Sequence, residues 1–433
     1  MATIADVIIY SLRDDIRGVA SDYCKQKQIS SVHSPMSPED CVDTLNRFPK
    51  GLLIIDGDVG NETLAYVLGR NQKTYEGRIR PILLVVTEVS AQTVTTAGEY
   101  GVSQIYAGNP EPKAFGSKIN LMLLGAGVSA EIKRVMQVVT QSRSEGKLDK
   151  AIMALSDLHR SHPHDLKVAT ELADCYIENN DWKKAKYILE KMQVTNPPYL
   201  RGIHLYARCL MADKQYEKAH EILSKLQMYN PDHVDRLTDI GNALLEMDRV
   251  KEAYKHFDKA IKIDEDHAPA KTGKGQCLLI AGQVNEALSI LKEVSTPREL
   301  ASIFNLSAVM NMRNGKYENG MHLYNAAAKV LGKNNSIHAR LIFNMGMGYR
   351  RWNKNDKAVA CFEQAIELDP NFKKSQDQIE QIKALGGEAS TAKEHQPSEQ
   401  ANAALDFDTD FAGFDFDDDD DDEVFGEETI DYD

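Results

Sequence analysis

The stretch ATELADCYIENNDWKKAKYILEKMQVTNP, residues 169–197, carries a pattern that recurs over more than half of the chain. Its Ala185 belongs to a column of Ala151, Ala185, Ala219, Ala253 and Ala287 at intervals of 34 residues, continued by Gly320 and Ala358. Twelve residues before these stand Val139, Ala173, Ala207, Gly241, Gly275, Ala308 and Gly346, small in six cases of seven. Four residues after them come Leu155, Leu189, Leu223, Phe257, Leu291, Tyr324 and Phe362, and twelve after them Pro163, Pro197, Pro231 and Pro370. Columns held in register at such a period imply two antiparallel helices per unit. The small residues mark the closest approach of the two backbones. Leu148, Trp182, Tyr216, Val250, Val284, Tyr317 and Asn355, three before the Ala column, are mostly bulky and fill the wedge beside that contact. The prolines are expected to stop the second helix, because a ring nitrogen cannot continue the hydrogen-bond ladder.

These columns, above all in residues 169–197 and in MGMGYRRWNKNDKAVACFEQAIELDP (345–370), resemble the tetratricopeptide repeat family. The resemblance implies a right-handed α-solenoid of about seven repeats, from about Ile132 to Lys373, with the first helix of each repeat lining a groove that takes peptides. Two joints depart from the pattern. The proline of the fifth repeat is displaced to Pro297, and GKNNSIHA adds residues before the seventh; bends are expected at both. A repeat of this kind buries its apolar faces only against neighbours and needs a polar-faced cap. NFKKSQDQIEQIKALGG suits that role, with Phe372, Ile379 and Ile382 turned to the last repeat.

Cys175, Cys209 and Cys277 share one repeat position, two residues after the small column, so they read as small buried hydrophobes. With Cys24, Cys41 and Cys361 they form no C-x-x-C pair and no zinc-finger spacing, which argues against a metal site or a disulfide framework.

Ahead of the repeats, apolar runs alternate with helical patterns: DVIIY, SSVHS, GLLIID, PILLVVTE and QIYAG are separated by amphipathic segments. That alternation implies a doubly wound, five-stranded parallel sheet. The order resembles the receiver domain of bacterial response regulators over residues 1–127. The resemblance places Asp56 as the phosphoryl acceptor ending the third strand, with Asp58 and Thr87 as neighbours, and implies a magnesium ion if Asp56 is active. The acidic pair that should close the first strand is replaced by Tyr10 and Ser11, Asp14 and Asp15 come too late, and the fifth strand ends in Ala107, Gly108 and Asn109 without the family's Lys. Phosphoryl transfer needs a metal and a cation on the transferred group, so a degenerate receiver-like domain used for docking stands beside a phosphorylation-gated one.

The net charge of -14 is a local property: fifteen acidic residues and no Lys or Arg lie between Ala404 and Asp433, and the preceding chain is nearly neutral. Clustered basic side chains, which phosphates demand, are lacking, so nucleic acid is set aside. Residues 386–433 read as a disordered linker and an acidic tail carrying Phe407, Phe411, Phe414, Phe416 and Phe425. Alternating acid and Phe suggests a docking motif for a basic, apolar-lined surface; the other reading is an electrostatic bristle. Membrane insertion and secretion find no apolar span or leader, which points to the cytoplasm.

The division is thus 1–127, 130–385 and 386–433. By the repeat register, Arg201, His204, Arg208, Asn242, Asn305, Arg340, Asn344 and Arg350 face the groove, where Arg and Asn suit an acidic or C-terminal peptide; Glu171, Asp174, Asp235 and Asp239 face it too and would repel one. The acidic tail of the same chain is the other candidate ligand, bound in cis. No phosphate loop, nucleophile elbow or HExxH motif is present. The expected function is a non-enzymatic protein-binding adaptor of bacterial signal transduction with no resident cofactor. A phosphorylation-gated response regulator using Asp56 and a peptide-binding chaperone or targeting cofactor are the alternatives, and the oligomeric state is open.

Overall fold

Strands β1 (Asp6–Tyr10), β2 (Ser31–His33), β3 (Leu52–Asp56), β4 (Ile82–Val86) and β5 (Gln104–Ala107) pair in parallel in the order β2-β1-β3-β4-β5. The three inner strands are apolar on both faces because helices cover both. On one side α1 (Asp14–Gln26) and α5 (Pro112–Leu123) bring Ile16, Cys24, Phe115 and Ile119 onto Val7, Ile9, Ile54 and Val85. On the other, α2 (Pro38–Arg47), α3 (Asn61–Lys73) and α4 (Ala91–Glu99) bring Leu45, Val67, Leu68, Ala97 and the adjacent Tyr100 onto Ile8, Ile55 and Leu84. The computed structural model describes residues 6–74, 79–123, 130–190, 200–331 and 335–389. The acidic segment with its five Phe residues, Pro197 and the junction at 124–129 lie outside them.

Helices α6 (Ala130–Ser144), α7 (Leu148–Ser161), α8 (Leu166–Glu178), α9 (Trp182–Glu190), α10 (Leu200–Ala212), α11 (Tyr216–Gln227), α12 (Val234–Glu246) and α13 (Val250–Ile263) follow as antiparallel pairs. The chain then continues with α14 (Ala268–Ile280), α15 (Val284–Leu291), α16 (Pro297–Arg313), α17 (Tyr317–Val330), α18 (Asn335–Arg351), α19 (Asn355–Leu368) and α20 (Lys373–Ala389). The backbone separates into two compact units, Met1–Gly273 and Lys274–Asp433, so the sheet domain and the helices through α13 form one body.

The wedge column Leu148, Trp182, Tyr216, Val250, Val284, Tyr317 and Asn355 supplies the first residue of each second helix. Two residues before it the turn adopts positive φ, at Gly146, Asn180, Lys214, Asp248, Gly282, Gly315 and Asn353. The tight reversal demands that conformation even where a non-glycine residue must bear its steric cost. The Ala column and the large residues four positions on are buried throughout, Ala151, Ala185, Ala219, Ala253 and Ala287 completely. Pro297 does not end a helix. It is the first residue of α16, behind a capping box in which Thr296 and Glu299 exchange hydrogen bonds, because its fixed φ suits a helix start. The expected cap is α20: Phe372 meets Phe343 edge-on at 5.1 Å, and Ile379 is buried.

Candidate protein-binding site

The strand order reverses between β1 and β3, so the crevice at their carboxyl ends is where this fold holds ligands. Asp56 lies there, 1% exposed. Its Oδ2 accepts a hydrogen bond from Ser11 Oγ at 2.8 Å and its Oδ1 one from the Asp58 amide at 3.0 Å. Asp58 Oδ2 accepts from the Thr87 amide and hydroxyl at 2.9 and 2.5 Å. The Arg13 guanidinium reaches Asp58 at 3.4 Å, Thr87 Oγ1 at 3.3 Å, Asn109 Oδ1 at 3.3 Å and Asp15 at 2.7 Å. Asp56, Asp58 and Thr87 are therefore brought together as the sequence implies, but an arginine absent from that expectation sits among them. A divalent cation needs anionic oxygens. Here Tyr10 and Ser11 stand where acids are required and a fixed cation holds Asp58, so these residues do not fit magnesium. Among the described residues no group of three or more His, Cys, Asp or Glu is placed to hold a metal.

A second constellation joins the sheet domain to the repeats. A glycine at positive φ, Gly101, ends α4, and the Val102 amide bonds back to Ala97 O at 2.8 Å. This C-terminal motif aims Glu99 and Tyr100 at the turn between α11 and α12. Glu99 is 2% exposed and forms an ion pair with Arg236, which is 0% exposed. Its Oε2 accepts from Asn230 Nδ2 at 2.8 Å, and the same amide lies 3.3 Å from the Tyr100 hydroxyl. The Tyr100 ring stacks on His233 with centroids 5.4 Å apart. Arg236 also donates to Leu226 O at 3.0 Å, a carbonyl left open at the end of α11. Beside this, Arg70 of α3 pairs with Asp264 and Asp266 after α13, and Lys73 lies 3.5 Å from Asp264.

His233 is the N-cap of α12: its Nδ1 accepts the Arg236 amide at 3.3 Å. Burial, then the neighbouring His204, pushes the imidazole down to about 4. Asp235 and Asp239 oppose this and Lys73 supports it, while Glu99 Oε1 lies 3.8 Å from the ring Nε2. The unfolded chain then binds a proton that the folded one refuses, so the contribution is complete above about pH 6.5 and is lost as pH falls towards 4. A loss on the order of 2–3 kcal/mol is expected, read as faster hydrogen exchange in α4 and α12 at pH 4.5 than at pH 7.5 after correction for intrinsic rates. Replacing His233 by Asn, a good cap that does not titrate there, should flatten the dependence; an unchanged slope would count against His233.

In the first unit the expected groove residues converge. Arg201, His204, Arg208 and Asn242 line one cavity of about 390 Å³ with Lys73 of α3. Their charges are matched within the chain: Arg201 reaches Glu171 at 2.6 Å and Asp174 at 3.3 Å, and His204 reaches Asp239 at 2.8 Å. Arg208 lies 4.0 Å from Asp239. Arg143, which the sequence did not single out, closes the network on Glu171, Asp174 and Glu178. Of the carboxylates that oppose an acidic ligand, Glu171, Asp174 and Asp239 are thus the partners of the arginines that suit one, while Asp235 pairs with His267 at 2.9 Å.

In the second unit Asn305 Oδ1 accepts from Tyr324 OH at 2.8 Å and Asn344 Nδ2 at 2.9 Å, and both asparagines are buried. Arg350 donates to Gln378 and Gln381 of α20, and Arg340 is half-buried on α18. All six cysteines are free and buried, with thiols pushed up to between about 11 and about 12 by that burial.

Arg236 was legible in principle. The same repeat position holds the exposed Arg134 in the first repeat and the buried Val168, Gly202, Ala270, Ile303 and Leu341 in the others, so a charge inside the array announces a specific partner.

Models of known families match three stretches. "Anaphase-promoting complex, cyclosome, subunit 3" matches residues 144–226, "Tetratricopeptide repeat protein 21 second ARM domain" matches 209–339, and "Tetratricopeptide repeat" matches 339–372. Among curated proteins none matches the sequence. Solved structures that resemble it include a tetratricopeptide repeat protein from Parabacteroides merdae, 16% identical over 58% of this chain and 98% of its own, with a TM-score of 0.40. MamA is 18% identical over 36% and 92% at 0.31, and YrrB, described as a TPR protein with an unusual peptide-binding site, is 16% identical over 52% and 96% at 0.28. No helix among the described residues is long and apolar enough to cross a membrane. Residues 339–372 thus match the tetratricopeptide repeat, and proteins with repeats of this type are generally scaffolds for protein–protein interaction.

Proposed function

We propose that the chain is a non-enzymatic adaptor of signal transduction, in which a degenerate receiver-like domain (1–127) acts as a docking module on about seven repeats (130–385), followed by an acidic segment (386–433). One observation carries the docking reading: the pair Glu99–Arg236 is buried between the sheet domain and the repeats. Buried charges are retained only when paired, and a surface left bare by a departing domain would expose both. The groove residues Arg201, His204, Arg208 and Asn242, with Asn305, Arg340, Asn344 and Arg350 further on, remain candidates for peptide contact. Charge reversal tests the docking. Glu99→Arg is expected to raise hydrogen exchange in α4 and α12 of the full chain by at least tenfold, and adding Arg236→Glu should recover much of the protection. Wild-type protection in Glu99→Arg would remove the reading.

The arginine beside Asp58 favours docking over phosphorylation at Asp56. Titrating the full chain with beryllofluoride and magnesium to millimolar concentrations is expected to leave its amide spectrum unchanged. A saturable change abolished by Asp56→Asn would restore the phosphorylation-gated alternative.

A further inference from the structure

We propose that the socket holding Glu99 and Tyr100 is a recognition site for acid–aromatic dipeptides, and that the C-terminal segment of this same chain supplies the competing ones. The inference rests on the docking reading above and deepens it by naming a second occupant.

The socket has two halves that adjacent residues fill. The carboxylate half is Arg236, wholly buried, with Asn230 Nδ2 at 2.8 Å from Glu99 Oε2. The aromatic half is the His233 ring, which lies nearly parallel to the Tyr100 ring at 8° and 5.4 Å. Asn230 spans both, since the same nitrogen lies 3.3 Å from the Tyr100 hydroxyl. What the socket recognises is therefore an anionic side chain followed directly by an aromatic one. Neither half depends on the rest of the sheet domain.

The acidic segment repeats that order at Asp406–Phe407, Asp410–Phe411, Asp415–Phe416 and Asp431–Tyr432, the last of which keeps the phenol. Composition alone leaves its five Phe residues unexplained, because a segment that only adds negative charge has no use for aromatics. A two-sided socket uses both features. The neighbouring cations of the cavity, Arg201, Arg208 and Lys73, already face Asp174, Asp239 and Asp235. Bulk attraction is thus weak, and discrimination falls on the socket. A segment on the same chain competes at an effective concentration set by the length of chain that joins it to its target, so a contact that is weak between separate molecules is strengthened against Glu99 and Tyr100 within one chain.

The test uses a labelled peptide of residues 404–433 and two full chains whose own tail aromatics are replaced by Ala with every acid kept. One retains Glu99 and Tyr100; the other carries Glu99→Ala and Tyr100→Ala, which empties the socket. At least tenfold tighter binding to the emptied chain is expected, and at least a tenfold loss when the peptide's Phe and Tyr are changed to Ala. Equal affinity for the two chains, or for the two peptides, overturns the proposal, the second outcome leaving only a charge effect. Hydrogen exchange of α4 and α12 without peptide separates this from the docking reading. Faster exchange in the emptied chain with no gain in peptide affinity ends the proposal alone, whereas unchanged exchange ends the docking reading itself. Should the double substitution fail to fold, Glu99→Gln keeps the shape and removes the charge, and is expected to give a smaller gain of the same sign.

Discussion

Arg236→Ala is expected to destabilise the unit Met1–Gly273 by about 3–5 kcal/mol, the cost of stranding one member of a buried ion pair. The substitution removes more than an attraction. Glu99, 2% exposed, is left with the Asn230 amide as its one short side-chain hydrogen-bond partner among the described residues, and must either bear an unpaired buried charge or take up a proton. The Leu226 carbonyl, which Arg236 reaches at 3.0 Å, loses its donor at the end of α11. Replacing both charged partners by apolar residues of similar volume, Glu99→Leu with Arg236→Met, should bring much of the loss back, because a buried pair and a packed apolar contact are often close in free energy. The measurement is protection in α12 under native-state hydrogen exchange, which reports local and global opening of the unit separately. A single Arg236→Ala loss below about 1 kcal/mol, the range of an exposed pair, would show that water reaches the contact.

Phe257→Ala is expected to cost about 3–5 kcal/mol by leaving a cavity that its neighbours cannot fill. Phe257 is fully buried, and two glycines receive its ring: a Cβ on Gly241 would lie 2.6 Å from Phe257 Cε1, and one on Gly273 would press on the same ring. These glycines belong to α12 and α14, so the ring fills the space between consecutive first helices. Small residues that admit a large ring have no side chain with which to close the gap it leaves. Phe257→Leu, which keeps most of the volume, should lose only about 1–2 kcal/mol. Gly241→Ala is expected to destabilise by about 1–3 kcal/mol from the opposite side, by overpacking. Urea unfolding of the full chain followed by hydrogen exchange in α13 reads all three, and equal losses for Phe257→Ala and Phe257→Leu would refute the cavity argument.

The elements were legible because their signals are local. Apolar runs such as LLIID and ILLVV mark strands covered on both faces, and the wedge residues Trp182 and Tyr216 begin second helices where the 34-residue register puts them. The left-handed turn before each second helix was not marked by composition, because Asn180, Lys214 and Asp248 occupy it as well as glycines. Pro297 misled for a related reason: proline both stops one helix and starts another, and only the capping box of Thr296 and Glu299 shows which it does. At the carboxyl ends of the strands, the missing acids of β1 were visible at once. The arginine that takes part in their place was not, since Arg13 precedes α1 and meets Asn109 from the far end of the domain.

By itself the sequence determined the kinds of structure present: the alternating front domain, the period of the repeats, the buried cysteines and the confinement of acidity to one end. Each follows from neighbours in sequence or from a repeated interval. The pairing of Glu99 with Arg236, and of Arg201 with Glu171, was decided only by the tertiary structure. Charge partners in a folded chain are chosen by which surfaces meet and how far water is excluded from them, and neither is written at any single position.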